Sequence, residues 1–253
     1  MSKLPIEINS LHSSNDHIIS IVDEETSGPL AQRFIDRSLG DAKVFVGICI
    51  YSPLSNYRYL KEYIPWVLSH ASRTLIVIGD YVERYNDPTW KKGSEEIASK
   101  KVLARGRKIR SGIERVLKEF PEYMDCVQIG NWYDDILTYE FKKIHHEVVS
   151  AYQSDLNFQK DVDVAVLSYL NSSRRAKDLR LAPNYKSREA SCAYILEEIS
   201  YFIFTILNDY YIEVYPGKDM RIMRKISEGS YKSLNYDLTK RTHVSIQVPK
   251  LES

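Results

Sequence analysis

A chain of 253 residues, 43 % apolar, with ten glycines and nine prolines, has the length and composition of one large globular domain or at most two small ones. A formal charge of +1 excludes steering of an anionic partner by the molecule as a whole, so any nucleic-acid site must arise from local asymmetry. Three cysteines (Cys49, Cys126 and Cys192) stand at no metal-like spacing, which argues against a disulfide framework or a metal cluster and for reduced thiols in the cytoplasm.

The N-terminal residues carry no apolar core of signal length, and no continuous apolar run approaches the roughly 18 residues of a membrane span. No membrane association is therefore expected. Residues 1–28 read as irregular, with Ser13-Ser14-Asn15-Asp16 and Thr26-Ser27-Gly28 as turn material. Leu30 to Leu39 reads as a short helix. Val44 to Tyr51 is a continuous apolar run without alternation, the pattern of a strand covered on both faces. Tyr57 to Ala71 reads as a helix kinked at Pro65, and Arg73 to Asp80 as a second buried strand. Strand, helix and strand in this spacing make a βαβ unit with a right-handed crossover. A loop over 81–93 leads to Ser94, a candidate N-cap with Glu95 and Glu96 in the first turn of a helix reaching Glu119. Met124 to Ile129 reads as a third strand. Helices are expected over Asp134 to Ala151, Leu156 to Asn171 and Glu189 to Leu207, with a charged loop from Arg174 to Arg188. Tyr210 to Val214 and His243 to Val248 close the chain as strands. This alternation predicts an α/β fold: a single Rossmann-like domain over residues 1–253 with a mostly parallel sheet flanked by helices.

Common catalytic signatures are missing. There is no P-loop, no dinucleotide-binding glycine motif and no G-x-S-x-G nucleophile elbow. His145-His146-Glu147 is not a zinc motif, because adjacent histidines point to different helix faces; no metal site is expected. Ser52 stands out by position. It follows the first buried strand, where open α/β sheets place reactive groups, although a serine before proline also simply opens a turn. A serine hydroxyl is a weak nucleophile unless activated; a substrate that is itself an activated ester needs less assistance. Tyr194 and Glu198, at i and i+4, project from one face of a largely apolar helix. A glutamate there must reach water or find a cation, and a substrate ammonium would serve.

The clearest electrostatic signal lies between Lys91 and Lys118, where ten lysines and arginines face three acids. At about 100° per residue, Lys100, Lys101, Arg105, Arg107, Lys108, Arg115 and Lys118 share one broad face. Val102, Leu103, Ile109, Ile113, Val116 and Leu117 lie opposite. Charge runs are commonly just solvated faces, but a stripe this one-sided on a nearly neutral chain points to a polyanionic partner.

Together these residues resemble the tRNA-dependent cyclodipeptide synthases. The match lies in the strand Gly47-Ile48-Cys49-Ile50-Tyr51 running into Ser52-Pro53, in Tyr194-Ile195-Leu196-Glu197-Glu198, in the late strand ending at Tyr215, and in the basic helix; it spans roughly residues 43–220. Ser55, three after the serine, and Tyr215-Pro216 resemble the group of that family with a non-Asn residue and a Tyr-Pro pair at those places. The resemblance implies a fold similar to the catalytic domain of class I aminoacyl-tRNA synthetases, two aminoacyl-tRNAs as substrates, no cofactor, and a monomer. It further implies Ser52 as the nucleophile that carries aminoacyl and dipeptidyl groups. Tyr194 and Glu198 would anchor the first α-amino group, and Tyr215 would orient the reacting centre. Ile48, Ile50, Val77 and Gly79, with Ser55 and Pro216, are the candidate substrate-binding residues, and an apolar lining suits a small or hydrophobic side chain. The synthetase signatures H-I-G-H and K-M-S-K-S are absent, so an amino-acid-activating enzyme is not expected. Two other readings of the sequence remain open: a non-catalytic RNA-binding Rossmann domain, and a small-molecule hydrolase using Ser52.

Overall fold

A computed structural model describes residues 19–172 and 185–248. Six strands form its sheet: β1 (Ser20–Ile21), β2 (Lys43–Cys49), β3 (Arg73–Gly79), β4 (Val127–Asn131), β5 (Ile212–Tyr215) and β6 (Thr242–Gln247). Their spatial order is β1-β6-β5-β2-β3-β4, parallel throughout except for the antiparallel edge pair β1–β6.

Strand alternation sends side chains into two cores. Val44, Val46, Ile48, Ile76, Ile78 and Val214 pack with Leu60 and Ile64 of α2 (Tyr57–Leu68) and Ile109 and Ile113 of α4 (Glu95–Glu119). Phe45, Leu75 and Val77 face the opposite layer, built from α6 (Tyr139–Ser154), α7 (Leu156–Ser172), α8 (Tyr185–Leu207) and α9 (Arg221–Ser227). Short helices α1 (Ala31–Ile35), α3 (Pro88–Lys91) and α5 (Trp132–Ile136) complete the set among the described residues. A sheet covered on both faces explains the unbroken apolar run of β2.

The departures from expectation have local causes. The helix expected from Asp134 is split, because the Thr138 hydroxyl accepts the amide hydrogen of Phe141 and caps α6 after α5 has ended. The loop expected over 81–93 holds a 3-10 turn at Tyr81–Asn86 and then α3, capped by Asp87. Pro65 sits inside α2 without ending it, and Ser94 precedes α4 without a side-chain capping bond. A 3-10 turn at Pro121–Cys126 takes the start of the third strand, which runs instead to Asn131. The N-terminal segment is not wholly irregular: Ser20 and Ile21 pair with Gln247 and Ile246, and Ser27 bridges His243. Helix α8 begins at Tyr185, while residues 174–184 of the expected charged loop, like residues 1–18, lie outside the described residues. Arg188–Leu207 holds no unbroken apolar run of membrane-spanning length, though by length and mean composition it is apolar enough to cross a membrane; 61 % of the stretch is buried within the fold. Its apolar character fills the second core.

The topology itself opens a site. From β2 the chain moves outward to β3 and β4, then returns to the other side of β2 to lay down β5 and β6. Strands β2 and β5 are therefore the switch point, where open α/β sheets bind ligands beyond their carboxyl ends. Their pairing covers only Val44–Ile212 and Phe45–Glu213, although β2 continues to Cys49 and β5 to Tyr215. Beyond that register the strands part.

Candidate active site

Ser52 is fixed at the mouth of this opening by short-range bonds. Its amide donates to the Cys49 carbonyl at 3.1 Å, closing a turn at the end of β2. Its hydroxyl oxygen accepts from the Leu54 amide at 3.2 Å, and the Ser55 hydroxyl donates to the Ser52 carbonyl at 2.8 Å. The Asn56 side chain then caps α2 through the Arg58 amide. A pocket of about 270 Å³, open solvent at its mouth included, lies against Ser52. Gly47, Ile48 and Cys49 of β2 form one wall, Leu54 and Ser55 lie beside the serine, Tyr63 of α2 closes one side, and Tyr215 and Pro216 from the end of β5 form the facing wall.

The thiol of Cys49 donates to Glu83 Oε1 at 3.2 Å. Burial, reinforced by the Glu83 charge, pushes that thiol up to about 12, so Cys49 stays a neutral thiol. Glu83 is itself buried, and its second oxygen accepts from Asn86 Nδ2 at 2.7 Å.

Helix α8 brings Tyr194 and Glu198 to the same side of the sheet. The Tyr194 hydroxyl donates to Glu198 Oε1 over a long 3.5 Å, and its ring stacks on Tyr169 with centroids 5.2 Å apart. Burial pushes the Glu198 carboxyl up to about 8; the charges of Glu83 and Glu213 push the same way, against the hydrogen bond from Tyr194. The Tyr215 hydroxyl is raised first by burial and then by the charges of Cys49, Glu198, Glu213 and Glu83. The residue beside Glu198 explains how α8 is held. Both oxygens of Glu197 accept from the Arg84 guanidinium, at 2.9 and 2.7 Å, and Trp132 Nε1 and the Tyr85 hydroxyl add bonds at 2.9 and 3.0 Å. This buried, multiply bonded carboxylate fixes the axial rotation of α8 and with it the direction of Glu198.

Along α4, all seven cations of the predicted stripe are exposed, while Val102, Gly106, Ile109, Ile113, Val116 and Leu117 are buried; Leu103 is half-buried. Several are already engaged. Lys100 pairs with Glu96 at 2.5 Å, and Lys101 lies 3.6 Å from Asp87. Arg105 and Arg115 lie over the rings of Tyr51 and Tyr57. Among the described residues, no group of three His, Cys, Asp or Glu side chains converges as metal ligands would.

The profile of the cyclodipeptide synthase family matches residues 33–208, well over half of the chain. The chain belongs to that family. Among curated proteins no sequence match was found. The fold agrees with solved synthase structures. The cyclodipeptide synthase of Fluoribacter dumoffii superposes with a TM-score of 0.70 at 15 % identity, covering 90 % of this chain and 97 % of that one. The synthase of Candidatus Glomeribacter gigasporarum, solved bound to Phe-tRNAPhe, gives 0.59 at 15 % identity, covering 88 % and 95 %. A Mycobacterium tuberculosis protein, whose structure is described as relating cyclodipeptide synthetases to type I tRNA synthetases, gives 0.60 at 14 % identity, covering 85 % and 89 %. The protein is thus an enzyme that makes cyclodipeptides, which sets aside the binding-only and hydrolase readings.

Within this synthase the structure brings Ser52, Ser55, Tyr215, Pro216 and Ile48 to one pocket, with Tyr194 and Glu198 on the adjoining helix. It does not bring Ile50 or Val77 there. Ile50 is fully buried in the core under α2, and Val77 is fully buried in the second core. Ile50 lies one residue past the end of β2, where the chain turns and its side chain joins the α2/α4 core, and Val77, paired with Gly47, packs with Phe45 and Leu75 into the second core. Gly79 ends β3 opposite Cys49, where an added Cβ would stand 3.6 Å from the Ile48 carbonyl. Sequence reasoning missed Cys49, Tyr63 and Glu83. The two-residue period could have found Cys49, on the same face as Gly47; Tyr63 and Glu83 reach the site from separate elements and left no local signal.

Proposed function

We propose that this synthase uses two aminoacyl-tRNAs and holds the growing product on Ser52. The observation that carries this reading is the meeting of Ser52 and Tyr215 across one pocket at the parted ends of β2 and β5. The Ser52 hydroxyl attacks the ester carbonyl of the first aminoacyl-tRNA. The terminal ribose hydroxyl leaves with the proton, and the aminoacyl group remains as an ester on Oγ. The amine of this aminoacyl-enzyme then attacks the ester of the second aminoacyl-tRNA, again releasing a ribose hydroxyl and leaving a dipeptidyl ester. Attack of the terminal amine on the Ser52 ester closes the six-membered ring and restores the serine. No ATP enters, because each ester already carries the activation.

Glu198 suits the amine steps. Its carboxyl, pushed to about 8 by burial, ionises readily opposite a substrate ammonium and can take a proton when the amine must attack. Tyr194 shares the anchoring through its bond to Glu198. Tyr215 is kept neutral by burial, which leaves its hydroxyl a proton to donate to the reacting carbonyl, and its place on the pocket wall supports that role. Ser55 and Pro216 both line the pocket, which supports placing the chain in the group with a non-Asn residue and Tyr-Pro at these positions. The wall mixes Cys49, Ser55 and two tyrosines with Ile48 and Leu54, so it is less apolar than the sequence implied.

The test is reconstitution. Purified protein with labelled aminoacyl-tRNAs should release a cyclodipeptide without ATP, and free amino acids with ATP should give none. Product that depends on ATP and free amino acids would refute the reading.

A further inference from the structure

Of the seven cations on the exposed face of α4, one reaches away from solvent toward the nucleophile. The Nε of Arg105 donates to the Ile50 carbonyl at 2.6 Å. Its guanidinium lies over the Tyr51 ring, 4.7 Å from the centroid. Ile50 and Tyr51 are the two residues between the end of β2 and Ser52, inside the turn closed by the Ser52 amide on the Cys49 carbonyl. The β2–β3 ladder ends at Cys49–Gly79, so the Ile50 carbonyl lies beyond the reach of the sheet and takes its hydrogen bond from a side chain. On the far side of the serine, Arg115 from the same helix lies over Tyr57 at 4.2 Å, and Tyr57 opens α2. Helix α4 therefore grips the Ser52 turn on both flanks, and its seat is close: an added Cβ at Gly106, next to Arg105, would fall 2.1 Å from Asp80 Oδ2 at the end of β3.

We infer that Arg105 is a positioning residue for Ser52, fixing the turn that presents the nucleophile, and is not one of the phosphate contacts of α4. The inference rests on Ser52 being the nucleophile. Arginine is suited to this work: one planar fork donates along its edge to a carbonyl while its face covers an aromatic ring, and lysine cannot do both. A nucleophile displaced by about 1 Å can lose on the order of 10²-fold in rate, so the consequence falls on acyl transfer at saturating substrate.

The experiment compares wild type, Arg105→Ala, Arg105→Lys and Ser52→Ala in single-turnover transfer from aminoacyl-tRNA to the protein, with binding measured over a salt series and a thermal melt for each. Arg105→Ala should lose roughly 10- to 100-fold in the saturated transfer rate, with affinity, salt slope and melting temperature close to wild type. Arg105→Lys keeps the charge and should still lose about tenfold in rate. A wild-type rate in Arg105→Lys would overturn the inference. So would an Arg105→Ala protein whose saturated rate is normal, whether or not its salt slope falls by the roughly one unit that a phosphate-binding cation supplies. If Arg105→Ala does not fold, Tyr51→Leu removes the ring beneath the guanidinium and carries the same expectation, and a normal rate there overturns it too. Transfer to the Ser52→Ala protein would instead refute the nucleophile itself, a separate failure.

Discussion

At the scale of single residues, Glu198 carries the sharpest consequence of burial. Its carboxyl is raised to about 8 from an ordinary value near 4.5, so the folded protein holds the proton more tightly than the unfolded chain. Stability is then lost as pH climbs from the unfolded value toward about 8, and the loss is complete above it. Glu198→Gln removes that penalty. The variant should match wild type in thermal melts near pH 4 and melt higher than wild type above pH 8, while its synthase activity falls roughly 10²- to 10⁴-fold. A variant less stable than wild type across the whole range would mean that the carboxylate is a structural partner. The neighbouring Glu197 is that kind of partner, since both its oxygens are committed to Arg84. Two adjacent glutamates on one helix thus stand in different surroundings, one bonded to Arg84, Tyr85 and Trp132 and the other to Tyr194, and nothing in Glu197-Glu198 as a dipeptide distinguishes them.

At the scale of elements, α4 shows how far periodicity reaches. A single apolar face sustained over Glu95–Glu119 made both the buried side and the basic side readable. What periodicity could not show is which cations bend back onto the protein, because Tyr51, Tyr57 and Asp87 come from other segments. Reversing Lys100, Lys101, Arg107 and Lys108 to Glu should weaken tRNA binding with the melting temperature preserved. The slope of log affinity against log salt should flatten by about one unit for each phosphate no longer neutralised. Unchanged affinity and slope would place the RNA elsewhere. Gly106 gives the converse test. Alanine inside a helix normally adds about 1 kcal/mol, yet here the new methyl would meet the Oδ2, Cβ and Cγ of Asp80 at 2.1 to 2.7 Å. Gly106→Ala should therefore destabilise the protein by roughly 1–3 kcal/mol in denaturant unfolding. A gain in stability would show that α4 can lift off the end of β3 without penalty.

At the scale of the molecule, the candidate site follows from one topological fact: strands β2 and β5 are neighbours but part before their ends. The buried strands and the long helices were legible in the chain because each is an uninterrupted periodic run, and Ser52, Tyr194, Glu198 and Tyr215 were legible as ends and faces of those runs. Strand order was not, since β5 and β6 reach their places beside β2 only through pairings far apart in sequence. Helix α9 and the two-residue β1 are too short to leave a pattern. The pocket wall was legible only in part for a related reason: a strand buried on both faces does not announce which of its side chains reach an opening at its end, so Ile48 lines the pocket as expected, Ile50 does not, and Cys49 left no separate mark. The central claim, that Ser52 carries the reacting acyl group, is tested most directly by intact-protein and peptide mass spectrometry after brief exposure to aminoacyl-tRNA. The account predicts a single aminoacyl adduct on Ser52 that forms and decays at rates matching product release, and in Ser52→Ala no adduct and a loss of product on the order of 10⁴–10⁶. Near-normal cyclodipeptide formation by the Ser52→Ala protein, or a turnover-competent adduct on another residue, would contradict it.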